Sequence, residues 1–169
     1  MLILLAEKAL GLLPAPAHRA GLRLAHALRK RWWRWRRPQV EGVRIIAVND
    51  AGHVLLVRHS YGPPVWMPPG GGIKPGEAPV ACALREMAEE IGCTLARPLQ
   101  VDTIRDTLHG AGNTVHVVAG LCVGAPVPDM REIVAVGFFA PDALPAPLAT
   151  GLADRMAAWA SLAPQGGSE

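Results

Sequence analysis

The sequence predicts a mixed α/β domain preceded by a basic amphipathic helical extension. Three observations predict it. β-Branched runs bounded by turn residues recur from Val40 onward. One strong helical segment follows a glycine-rich turn, and an apolar stripe at helical spacing closes the chain. At 169 residues, half of them hydrophobic and 18% charged, the chain suits one domain with a core and an extension.

The elements follow in order. Residues 2–13 form a short apolar run closed by Pro14 and Pro16. Residues 17–37 predict a second helix, with Leu24, Leu28, Trp32 and Trp35 along one face and Pro38 as its stop. Val43–Val48 and His53–Val57 read as strands joined by a hairpin turn over Asn49–Gly52. Glu77–Ile91 reads as one helix ended by Gly92. Residues 99–108 and 114–123 read as a second hairpin across Gly110–Asn113. Val134–Phe139 is a further strand, and Pro147–Leu162 a closing helix with Leu148, Leu152, Met156 and Trp159 on one stripe. The expected organisation is an extension over 1–38, a domain over 39–163 and a disordered tail over 164–169.

The charge is uneven. Residues 1–37 hold nine Lys or Arg against Glu7, a net of +8, whereas residues 38–169 carry a net of −5. Docking on the domain or a dimer contact is the leading expectation for the extension. A membrane surface comes next and nucleic acid third, although Trp residues interleaved with Arg suit either. No apolar run reaches the ~18 residues of a spanning helix. The early apolar run has no preceding positive charge, which argues against a secretory signal, while the Arg-rich, acid-poor extension as a whole resembles an organelle transit peptide. Cys82, Cys93 and Cys122 fit no metal spacing and suggest buried thiols in a reducing compartment, so a cytoplasmic location is expected.

Gly71–Cys93 carries the chemistry. Glu86, Glu89 and Glu90 recur at i, i+3 and i+4, on one face of a regular helix. Like charges at such spacings destabilise a helix by about 0.2–0.5 kcal/mol per pair. A divalent cation offsets that repulsion, and clustered carboxylates suit Mg²⁺ or Mn²⁺.

Gly71, Glu77, Arg85-Glu86, Met87, Glu89-Glu90, Gly92 and Cys93 resemble the box G-x5-E-x7-R-E-U-x-E-E-x-G-U of the Nudix hydrolases, U being a bulky aliphatic. Met87 and Cys93 are mild departures at the two U positions. The box spans 23 of 169 residues. Its flanks, from Trp66 to Gly71 and from Glu132 to Pro145, extend the resemblance over residues 40 to 145.

The resemblance implies an α/β/α sandwich around a mixed sheet. It also implies Mg²⁺- or Mn²⁺-dependent hydrolysis of a diphosphate linking a nucleoside to another group. The metal-site acids would be Glu86, Glu89 and Glu90, joined by the Gly70 carbonyl. Arg85 would pair with Glu77 and, with Gly71 and Gly92, shape the box. The general base would be a box glutamate, Glu86 first, or a distal acid, Asp129 or Glu132. Arg44, Arg58 and Lys74 are the candidate cations for the anionic substrate. Tyr61, Trp66 and Phe138 could stack on a base. His59, His109 and His116 share no element and are expected to be surface or core histidines. Two rival readings remain: a non-catalytic nucleotide-binding module, and an enzyme held at a membrane surface. An isomerase acting on a prenyl diphosphate is remote.

Overall fold

The computed structural model describes residues 39–108 and 111–164, together with Gly21. The extension expected over 1–38, His109, and the tail expected over 164–169 fall, apart from Gly21 and Pro164, outside the described residues. The strands are β1 (Gln39–Val48), β2 (Val54–His59), β3 (Thr94–Leu108), β4 (Ala111–Val123) and β5 (Ile133–Phe139). They form one sheet in the order β3-β4-β1-β2-β5. β1 runs parallel to β4 along its whole length, from Gln39↔Gly112 to Val48↔Leu121. The other neighbours are antiparallel.

Strand alternation sends successive residues to opposite faces. Val43, Ile45, Ala47, Leu55 and Val57 join one core, with Cys82, Ala83, Met87 and Ile91 of the box helix. Ile46, Val48, Val54 and Leu56 join the other, with Leu152, Met156 and Trp159. The sheet is therefore covered on both sides, as the α/β/α expectation required.

β1 and β2 meet in register only at Val48↔Val54, next to their hairpin. Asn49 Oδ1 accepts from the Ala51 and His53 amides there, and Gly52 takes a φ of 73°. Beyond that pair the two strands part and residues 67–73 wedge between them. Val57 and Met67 exchange both backbone hydrogen bonds (2.8 and 3.1 Å). Across the wedge, Val43 N donates to Gly71 O (2.9 Å) and Ile45 N to Pro69 O (2.8 Å). A Cβ at Gly42 would lie 2.8 Å from the Gly71 oxygen, so a glycine lets the wedge close.

The box helix departs from expectation at both ends. α1 covers Pro79–Glu86 and passes into a π-helical turn, Met87–Ile91. Glu77 and Ala78 are outside it because the residue before proline is driven from the α region; Ala78 has ψ 148°. Gly92 ends it in the left-handed conformation, φ 71°. Ala111–Asn113, expected in a turn, belong to β4, and Asn113 Nδ2 donates to Asp106 Oδ1 at 2.8 Å. The closing helix α2 is Ala153–Ser161, shorter than expected. Pro147 and Leu148 instead behave as strand: Trp66 N donates to Pro147 O (2.8 Å) and Ala149 N to Trp66 O (2.9 Å). Leu148 therefore leaves the helical stripe that Leu152, Met156 and Trp159 keep.

Candidate active site

Arg85 organises the box. Its Nε and Nη2 grip Glu77 Oε1 and Oε2 at 2.7 and 2.9 Å, and Nη2 also donates to Gly72 O at 3.2 Å. Glu77 Oε2 accepts the Lys74 amide at 2.9 Å, which fastens the loop to α1. The Arg85 bonds hold the Glu77 carboxyl down at about 2. The expected Arg85–Glu77 pair is thus in place.

The three box acids do not share one environment. Glu86 and Glu90 are buried, at 8% and 9% exposure, whereas the Glu89 side chain is 58% exposed. Met87–Ile91 winds as a π turn rather than the regular helix expected, yet Glu89 still bears on both Glu86 and Glu90. Arg85 Nη1 bridges Glu86 Oε1 (2.7 Å) and Glu89 Oε2 (3.2 Å). Burial raises the Glu86 pKa all the same, outweighing the arginine. A Cβ on Gly71 would displace the Glu86 carboxylate, so the bare glycine lets the loop backbone lie against it.

Glu90 is the extreme case. Its Oε2 is buried with no hydrogen-bond partner. Burial, then the charges of Glu86, Glu132, Asp129 and Glu89, push its carboxyl up to about 9.

A distal loop closes on this helix end. Val127 N donates to Ile91 O (2.9 Å) and Asp129 N to Glu90 O (3.2 Å), satisfying carbonyls that a helix end leaves open. Asp129 Oδ1 accepts from the amides of Arg131 (3.0 Å), Glu132 (3.0 Å) and Ile133 (2.8 Å). Ser60 ties the loop to the end of β2: its Oγ donates to Arg131 O (2.6 Å) and its N to Glu132 O (2.8 Å). The Tyr61 hydroxyl donates to Glu132 Oε2 at 3.4 Å. Both expected distal acids are therefore near Glu90, but Asp129 is engaged by its own loop.

The expected cations separate. Lys74 lies where its charge bears on Glu86. Arg44 does not join the acids: it projects to the α2 side, 5.8 Å from the Trp159 ring centroid, where burial lowers its pKa. Arg58 also lies on the α2 side, 5.8 Å from the Trp66 ring centroid, with its Nε buried and unpartnered. Both leave because their strand positions have the parity of Ile46 and Leu56. Trp66 packs edge-on against Phe139 at 5.1 Å and Phe138 against the box-side core, which leaves Tyr61 beside the acids. His59, expected to be a surface or core histidine, stands 5.3 Å from the Tyr61 ring. Ser60 has no part in the expected site. Their only signal is adjacency to Tyr61 at the end of a strand. His116 Nε2 lies 2.8 Å from Oε1 of Glu41, whose backbone carbonyl accepts from Ile73 N of the box loop at 3.0 Å.

Among the described residues no three Asp, Glu, His or Cys side chains are gathered as a finished metal cage. The donor set nonetheless fits a hard divalent cation. An orphaned buried carboxylate oxygen in the field of four further acids lacks positive charge. The bare glycine at 71 leaves the loop backbone directly against Glu86.

A family model for the NUDIX domain matches residues 38–160. The chain belongs to the Nudix family. This Nudix chain is 46% identical over 55 residues to an RNA pyrophosphohydrolase of Rhodospirillum rubrum, a match covering 32% of the chain and 33% of that protein. The chain thus spans about a third of the length of the curated relatives it matches. The MutT NUDIX hydrolase from Burkholderia pseudomallei superimposes with a TM-score of 0.63 at 26% identity, covering 70% of this chain and 96% of that one. The E. coli ORF135 protein shares the fold, with a TM-score of 0.61 at 23% identity over 74% of this chain and 91% of that one. Among the described residues no helix is long and apolar enough to cross a membrane.

Proposed function

We propose that this Nudix chain is a Mg²⁺- or Mn²⁺-dependent pyrophosphohydrolase that cleaves the diphosphate linkage of a nucleoside diphosphate derivative. One observation carries the reading: the buried, unpartnered Glu90 oxygen within a cluster of carboxylates. Such a group is costly unless a cation or a proton satisfies it. Glu86, Glu89, Glu90 and the Gly70 carbonyl would hold the metal, which when bound would supply charge neutralisation at the phosphoryl oxygens and a water of lowered pKa.

The chain's own residues do the rest. Glu132, held beside the cluster, takes the proton of the attacking water. Lys74, in the box loop, meets the anionic diphosphate. Tyr61 offers a face to the base. Arg44 and Arg58 are not assigned to the substrate, since both stack on tryptophans of the α2 side. Because relatives of this chain are named RNA pyrophosphohydrolase, we add an RNA to the substrates to be tried. A binding module without turnover is disfavoured because every box acid is present. We assign the reaction to the cytoplasm.

The test is product release with Mg²⁺ from nucleoside triphosphates, ADP-ribose, NADH, dinucleoside polyphosphates, nucleotide sugars and a 5′-triphosphorylated oligoribonucleotide. Turnover of one class, reduced about a hundredfold or more in Glu90→Gln, is expected. Metal-dependent binding of a nucleotide with no turnover of any class would move the reading to the binding module.

A further inference from the structure

Resting on the role proposed for Glu132, we infer that Asp129 is its positioning residue: it holds the Glu132 backbone at the acid cluster without itself touching substrate. Position depends on the main chain before it depends on the side chain. The Glu132 main chain is fixed from both sides. Its N–H points to the Asp129 carboxylate, 3.0 Å from Oδ1 and 3.2 Å from Oδ2. Its C=O accepts from Ser60 N at 2.8 Å. The flanking amides of Arg131 and Ile133 converge on the same Asp129 Oδ1 at 3.0 and 2.8 Å.

Three amides meeting one oxygen demand a tight turn, and Met130 takes φ 59° within it. That conformation costs a side-chain-bearing residue energy that surrounding bonds must hold in place. Asp129 provides those bonds from one end, and its own N–H is anchored on Glu90 O. The carboxylate thus acts as a clip between the box helix and the loop bearing Glu132. Charge-assisted acceptance of several amides suits this role better than proton transfer, because the lone pairs facing the loop are committed.

The experiment is steady-state hydrolysis of dGTP, ADP-ribose and a 5′-triphosphorylated dinucleotide with Mg²⁺, using the full chain. It compares Asp129→Ala, Asp129→Asn, Glu132→Gln and the double variant Asp129→Ala/Glu132→Gln. Asp129→Ala is expected to lower kcat about 10- to 100-fold with KM nearly unchanged, as for a misplaced catalytic group. Asp129→Asn keeps an acceptor oxygen without the charge and is expected to recover most of kcat. In the Glu132→Gln background, Asp129→Ala is expected to cause little further loss, since the two act as a unit.

Independent, multiplicative losses would overturn the inference. So would an Asp129→Asn protein as impaired as Glu132→Gln, because the charge itself would then be acting; this second criterion stands even if Asp129→Ala fails to fold. No turnover by the unsubstituted protein of these three or of any other class named under the proposed function would sink the enzyme reading and this inference with it. Turnover with the wrong pattern among variants would sink the inference alone.

Discussion

A carboxylate that is buried, unpartnered and surrounded by acids is a liability until it is neutralised, and Glu90 is that residue. Its pKa in the fold, about 9, lies above the ordinary value of 4.5. The folded chain therefore keeps a proton that the unfolded chain releases. Its contribution is intact below about 4.5 and is lost as pH rises towards about 9. In the metal-free protein, Tm should fall across that window, and Glu90→Gln should flatten the fall. At pH 7 the variant should be more stable by at most about 3 kcal/mol, while losing activity. A melt in EDTA in which Glu90→Gln is no more stable than the parent at pH 8 would contradict this. Glu77 runs the other way. Arg85 holds it down at about 2, so its contribution exists above 4.5 and disappears as pH falls towards 2. Glu77→Gln should blunt the acid limb of the same stability curve.

At the scale of elements, the wedge and the box helix are set by three glycines in different ways. Gly42→Ala brings a Cβ to 2.8 Å from the Gly71 oxygen, backbone that cannot swing aside. A loss of about 1–3 kcal/mol is expected in chemical denaturation. Gly92→Ala places a side chain at φ 71° in otherwise open space, and about 1–2 kcal/mol is expected. Gly71→Ala should disturb the Glu86 carboxylate and so weaken metal affinity more than stability, which calorimetry with Mn²⁺ would separate. The Arg85–Glu77 pair and the Gly92 stop were legible because their partners lie within one turn or loop of each other. The start at Pro79 rather than Glu77 departs from the helix read over Glu77–Ile91, although the proline itself bars the α region to Ala78. The faces taken by Arg44 and Arg58 were not legible, because they depend on strand parity relative to a core that no local pattern defines. The π turn was equally hidden, since nothing in MAEEI announces one. The late start of α2 was hidden as well: Pro147 and Leu148 fit a helical stripe, but hydrogen bonds with distant Trp66 claim that stretch of backbone.

At the scale of the molecule, the sheet separates two cores with different duties. The core beside α1 backs the acids, whereas the core beside α2 contains Leu152, Met156 and Trp159. Trp159 Nε1 donates to Asp102 Oδ2 at 2.9 Å, pinning α2 to β3. Met156→Ala should cost about 2–5 kcal/mol of stability. Its kcat should stay close to that of the parent at a temperature where both are folded, since the change lies across the sheet from Glu90. A large fall in kcat with intact folding would show that the two layers are not independent.

The wedge has one more consequence, and it concerns length. Residues 67–73 lead into the box and fill the gap in the sheet, hydrogen-bonded to Val57 on one side and to Val43 and Ile45 on the other. One inserted residue would reverse the facing of everything beyond it and lift Gly71 from Glu86. The stretch from Met67 to Glu86 is thus a ruler with fixed graduations: descendants of this chain can change many of its letters but can hardly change their number.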